Sequence, residues 1–137
     1  VSDTYVQFNV SLINLTDEQT EWWDDVRKKI ELYSFEYDVR AEHELCFDVQ
    51  INNPNEVLIG AHASTEGLEG AHAAEWLQRY MFEFDILGNI CFQEVSWDSR
   101  GLDAYGVGFH VTKDGYTAID VHQELAKLCE QKAVSNG

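Results

Sequence analysis

Residues 5–33, YVQFNVSLINLTDEQTEWWDDVRKKIELY, change their apolar period once, and that change decides the fold. Up to Ile13 the chain alternates. Val6, Phe8, Val10 and Leu12 take one side, and Gln7, Asn9 and Ser11 the other, which is the period of a half-buried strand. Thr16 then opens a helix, and Gln19, three residues on, completes a capping-box pattern. From there to about Leu32 the apolar residues follow a helical period, so Trp23, Val26, Ile30 and Tyr33 form one buried stripe. A strand running directly into an amphipathic helix predicts a sheet with helices packed on its apolar face.

The rest of the chain extends this pattern. Leu45 to Ile51 reads as a strand with Leu45, Phe47, Val49 and Ile51 inward. Asn52-Asn53-Pro54-Asn55 is a turn cluster, and Val57 to Ala63 returns as the second arm of a hairpin. Glu66 to Phe84 reads as a helix with Leu68, Ala73, Trp76, Leu77, Tyr80, Met81 and Phe84 on its apolar face. Ile90 to Trp97 and Tyr105 to Thr112 are strands. Asp114-Gly115 is a turn, and Thr117 with Asp120 marks a helix start, with Val121, Leu125 and Leu128 inward to about Lys132. Ser34 to Glu44 is open between an irregular connection and an edge strand. The order β-α-β-β-α-β-β-α predicts an α+β fold: a two-layer domain over residues 1–133, with a largely antiparallel sheet covered by three helices. Residues 134–137 are expected to fray. The crossover after the first strand makes one parallel pairing an expectation.

Charge bounds the partners. Among 137 residues, 25 Asp and Glu face 9 Lys and Arg, a formal net charge of −16. Binding to nucleic acid begins with neutralising phosphate, so direct DNA or RNA binding is disfavoured, and so is an anionic membrane. A basic partner is favoured, and many basic proteins handle nucleic acid. No 18-residue apolar stretch is present and no secretory leader opens the chain, so a cytoplasmic protein is expected. Cys46, Cys91 and Cys129 are widely spaced, odd in number and without a C-x-x-C, so unpaired thiols are expected.

The layout of residues 57–115 carries a resemblance. Val57-Leu58-Ile59 precedes Glu66-Gly67 and the aromatic helix Trp76 to Phe84. Val95-Ser96-Trp97, Tyr105-Gly106-Val107-Gly108 and Val111-Thr112-Lys113-Asp114-Gly115 follow. This resembles small acidic proteins of unknown function encoded by phages and mobile elements. The resemblance implies an accessory or counter-defence role and brings no site residue with it.

The candidate partner-binding residues lie in one acidic segment. Asp17, Glu18, Glu21, Asp24, Asp25, Glu31, Glu36, Asp38, Glu42 and Glu44 stand against four bases, net −6. Asp17, Glu21, Asp24 and Asp25 share one helix face at i, i+4, i+7 and i+8 and could present carboxylates as duplex DNA presents phosphates. Sixteen charges match about 27 Å of duplex at one charge per ~1.7 Å. The same row also suits a well-made solvated helix, because acids complement its N-terminus and Asp24–Lys28 and Asp25–Lys29 are favourable pairs. Trp22, beside acids at 18, 21 and 25, is a candidate interface anchor. Residues 66–85 add a second acidic stretch, net −4.

Catalytic signals are lacking. There is no G-x-S-x-G, H-E-x-x-H or Walker loop. Glu69, His72 and Glu75 do not share a helix face, so no metal is expected, and no cofactor is implied. The reading is an acidic non-enzymatic protein that blocks the basic surface of a nucleic-acid-handling protein by phosphate mimicry, as a phage inhibitor would. Two alternatives stay open. One is a small enzyme or ligand-binding domain with a pocket near His62, His72, Trp97 and Tyr105. The other is a structural accessory protein that forms a homo-oligomer.

Overall fold

The computed structural model describes residues 4–34, 37–61, 69–98 and 104–136. The fold is α+β, with seven strands and four helices among those residues. The first predicted strand is split by Phe8 into β1 (Thr4–Gln7) and β2 (Asn9–Leu12). Pairing changes sides at that point. β1 pairs with β5 (Ile90–Asp98), and β2 pairs with β4 (Glu56–Gly60). Two sheets result, β1-β5-β6-β7 and β2-β4-β3, where β3 is Asp48–Asn52, β6 Ala104–Thr112 and β7 Gly115–Asp120. Phe8 is buried at the joint, 5.4 Å from the Phe92 ring centroid. A Cβ on Gly60 would stand 3.3 Å from the Phe8 carbonyl oxygen, so the chain crosses there against a residue without a side chain.

Every described strand pairing is antiparallel, which corrects the expected parallel pairing. The crossover from β2 passes through α1 (Asp17–Leu32), α2 (Tyr37–Glu42) and β3 before β4 returns beside it. That path reverses the chain once more than a single crossover would.

α1 lies on the small sheet, against β3 and β4, and α3 (Glu69–Glu83) on the large sheet, against β6 and β7. Trp23, Val26 and Ile30 of α1 are buried, as are Ala73, Trp76, Leu77, Tyr80 and Met81 of α3, with Tyr33 and Phe84 partly buried against them; Leu68 lies outside the described residues. The capping box forms as read: Gln19 N donates to Thr16 Oγ1 at 3.1 Å, and Thr16 N to Gln19 Oε1 at 2.9 Å. Such a cap is worth about 1 kcal/mol. The β3–β4 turn is tied to the same helix end, with Asn55 Nδ2 donating to Leu15 O and Asp17 Oδ1, both at 3.0 Å.

Three elements differ from the expectation. The open segment after α1 contains α2, whose C-terminus is closed by Glu44 at φ 58°, with Leu45 N donating to Arg40 O and Glu44 N to Ala41 O. That is a Schellman ending on a residue other than glycine, so the usual sequence signal is missing. Thr117 to Asp120 belongs to β7, not to a helix. Asp120 is the cap of α4 (Val121–Asn136), accepting from Gln123 N at 3.1 Å. Finally, Leu125 and Leu128 do not face inward: they are 53% and 55% exposed. α4 meets β6 and β7 and then carries its leucines away from them, continuing to Asn136 through most of the expected frayed tail.

Candidate functional site

The acidic row stands on α1, where the cap and the buried stripe turn one face outward. Asp17, Glu18, Glu21 and Asp25 are exposed, and Asp24 is half-buried. The bases of this helix turn away from the row's outer carboxylates. Arg27 pairs with Asp24 at 2.8 Å and with Glu31 at 2.5 Å, and Lys28 reaches Asp24 at 3.2 Å. The hydrogen bond from Arg27 holds the Asp24 carboxyl below its ordinary range. The expected Asp25–Lys29 pair does not form. Lys29 Nζ lies 5.5 Å from the centroid of Trp76, where a cation over an indole face competes with a weak surface ion pair. Glu18, Glu21 and Asp25 therefore have no basic partner among the described residues.

The other candidate residues are dispersed. Glu31 is tied to Arg27, and Glu44 to Arg79 at 2.6 Å. Glu42 lines a hollow of about 510 Å3 together with Lys29, Tyr33, His43, Glu44, Leu45, Trp76 and Arg79. Glu36 lies outside the described residues, and of Asp38 only its place in α2 is described. Trp22 lies at the edge of the buried stripe. It is half-buried, its ring 4.8 Å from Trp23, 6.0 Å from Trp76 and 5.6 Å from Tyr80. The tandem tryptophans thus join α1 to α3 through one aromatic cluster. At that joint stand cations, since Arg79 also lies over Trp76 at 4.5 Å. The charge of the second acidic stretch is compensated in part, with Glu83 exposed and Glu66 outside the described residues. Glu69 is buried, Glu75 contacts Arg79 at 3.3 Å, and Asp85 pairs with Lys113 at 2.6 Å.

The alternative pocket falls only partly on the described residues, which leave out the loop at 99–103. His62 lies outside the described residues. His72 Nδ1 accepts from Cys46 N at 3.3 Å, and burial pushes its pKa down, so it is a neutral ring holding the start of the β3 segment. Trp97 stacks on Tyr5 at 5.9 Å, and Tyr105 meets His122 at 5.8 Å. As strand register puts Trp97 and Tyr105 on opposite sheet faces, they cannot line one cleft. Among the described residues, no group of three or more His, Cys, Asp and Glu could hold a metal ion.

Two features were not found by sequence reasoning. Glu94 points inward, buried beside α3, with its Oε1 accepting from Gly70 N at 3.0 Å. A Cβ on Gly70 would stand 2.7 Å from Phe109 and 2.9 Å from Glu94, so only glycine admits this approach. Burial pushes the Glu94 carboxyl above its ordinary range, against the weaker opposite effect of the Gly70 N–H. A carboxyl with a higher pKa folded than unfolded takes up protons on folding. Its stabilising contribution is complete below the unfolded value and is lost as pH rises through the folded one. Glu94→Gln keeps the acceptor oxygen and removes the charge. It is expected to raise the melting temperature by a few degrees at pH 8 and to converge on the wild type near pH 4. Thermal melts at the two pH values check this, and equal melting temperatures at pH 8 would refute it.

The second feature is the outer face of the large sheet, opposite α3. Register places Tyr5 and Gln7 of β1 there. Cys91, Gln93, Val95 and Trp97 of β5 join them, with Gly106, Gly108 and His110 of β6 and Thr117 and Ile119 of β7. None of these is Asp, Glu, Lys or Arg. The sequence signal was the alternation of β5, but with Ile, Phe, Glu and Ser on one side and Cys, Gln, Val and Trp on the other it does not say which side is buried.

The cysteines are not joined by a disulfide; Cys46 is buried, and Cys91 and Cys129 are exposed. In dilute native protein, a thiol reagent is expected to label Cys91 and Cys129 quickly and Cys46 only on unfolding. Mass spectrometry of the labelled chain counts them, and one fast thiol or three would contradict this arrangement. No helix among the described residues is long and apolar enough to cross a membrane. The chain matches no known protein family, no curated protein and no solved structure.

Proposed function

We propose that this is an acidic, non-enzymatic binding protein that occupies the basic surface of a nucleic-acid-handling protein, as a mobile-element inhibitor of a host factor would. The observation that carries the reading is the outer row of α1. Glu18, Glu21 and Asp25 stand exposed without a basic partner among the described residues, while Arg27 and Lys29 are drawn elsewhere. Carboxylates left in this state are available to lysines and arginines of another protein, and such pairing speeds association and weakens with salt. The experiment is capture of partners from a host lysate on the immobilised chain at low and high salt, beside a gel shift with duplex DNA. The expected result is basic nucleic-acid-binding proteins retained at low salt and released at high salt, with no DNA shift. A submicromolar DNA shift at physiological salt, or retained proteins that are not basic, would overturn it.

A second reading, binding of a small anionic ligand, rests on the 510 Å3 hollow, where Lys29 and Arg79 both lie over Trp76. Titration of tryptophan fluorescence with mononucleotides, in the wild type and in Trp76→Phe, distinguishes it. Quenching that saturates only in the wild type would favour this reading.

A further inference from the structure

We propose that the uncharged outer face of the β1-β5-β6-β7 sheet is covered by helix α4 of a second copy of this chain, with the exchange reciprocal. This stands apart from the acidic row, which lies in the helix layer on the other side of the sheet.

Charge selects the occupant. Each copy carries −16, so two copies repel wherever carboxylates face each other. Among the described residues of β1, β5, β6 and β7, the outer face offers neither a carboxylate to repel a second copy nor a base to attract one, and nothing for a basic protein to pair with. It is also apolar at its surface, with Val95 41% and Ile119 47% exposed.

The chain itself carries a segment of matching shape. α4 touches its own sheet at its start, where a Cβ on Gly106 would stand 3.1 Å from Val121 Cγ2. Beyond that, Leu125 and Leu128 project from one side of the helix into solvent. Sixteen residues of helix span about 24 Å at ~1.5 Å per residue. The nine-residue strands β5 and β6 run about 30 Å at ~3.3 Å per residue, long enough to receive it.

The seat is at Gly108. A Cβ there would meet nothing within 4 Å. Gly108 lies in a shallow, open depression of about 540 Å3 lined also by Cys91, Gln93, His110 and Ile119, against which a leucine can pack.

Area sets the strength of this pairing. A helix ~10 Å wide and ~24 Å long covers about 240 Å2 of the partner's face, and each copy gives one and receives one, so each buries about 480 Å2. That is below the ~800 Å2 per partner of a stable complex and fits a weak dimer that forms only at high concentration. Because each copy gives one α4 and receives another, the contact closes on a two-fold axis and does not propagate.

Sedimentation equilibrium of the full chain tests this. The wild type at high micromolar concentration is expected at twice the 15.7 kDa chain mass. Gly108→Arg fills the seat, and Leu125→Glu with Leu128→Glu charges the knob. Both change exposed or open positions, so the circular dichroism spectrum should be kept while the mass falls to that of one chain. In the wild type, labelling of Cys91 should slow at least tenfold as concentration rises through the transition. The proposal is overturned by a wild type that stays single at high concentration, by a double mass in either variant, or by Cys91 labelling that ignores concentration.

Discussion

Replacing Asp17, Glu21, Asp24 and Asp25 by their amides is expected to slow association with a captured basic partner by one to two orders of magnitude and to flatten its salt dependence. Steering charges act on encounter before contact, and removing four carboxylates from one helix face weakens the local field even with Glu18 left in place. The fold should survive. Asp17 and Asp25 are exposed, and Asp24 is the member with the most to lose, since Arg27 and Lys28 both pair with it. Losing these surface pairs costs some tenths of a kcal/mol each, and relief of repulsion along the row offsets part of it. Arg27 keeps Glu31 as a partner. Stopped-flow association over a salt series, beside a thermal melt, separates the two roles of the row. Wild-type rates with a lower melting temperature would mean that these acids serve the helix and nothing else.

Arg40→Met is expected to cost about 3–5 kcal/mol, a large share of the ~5–15 kcal/mol that holds a domain together. Arg40 is almost fully buried. Its guanidinium donates to Leu45 O through Nε at 3.1 Å and Nη2 at 2.9 Å, and to Phe47 O at 3.0 Å. Asp48 stands 3.7 Å away at the surface. Methionine fills much of the volume but leaves two buried carbonyls without their donor, the costly way to lose a hydrogen bond. Arg40→Lys should lose nearly as much, because an ammonium cannot reproduce the planar fork. Urea unfolding of the three proteins checks this. A loss below about 1 kcal/mol for either variant would mean that water replaces the guanidinium.

Arg40 also marks where sequence reasoning stopped. In the sequence it is one base in an acidic stretch of unsettled structure; in the fold it ties α2 to the start of β3. Nothing local shows that the carbonyls of Leu45 and Phe47 lack sheet partners. The acidic row has the opposite history. Its spacing and exposure were legible, because one capped helix with one buried stripe fixes which positions face water. The fate of Lys29 was not legible, since Trp76 is distant in sequence and reaches it only when α3 packs beside α1.

By itself the sequence determined the α+β class, the capped first helix, the β3–β4 hairpin, the core stripes of α1 and α3, and the net charge. These follow from periodicity, turn chemistry and charge, which act over a few residues or over the whole composition. Only the tertiary structure decided the change of partners at Phe8, the assignment of Thr117 to a strand, the inward turn of Glu94 and the exposure of Leu125 and Leu128. Each depends on what stands opposite: a neighbouring strand completes β7, Gly70 makes room for a carboxylate, and α4 runs beyond the sheet that would have covered its leucines. Such contacts join residues far apart in the chain, and no local pattern encodes them.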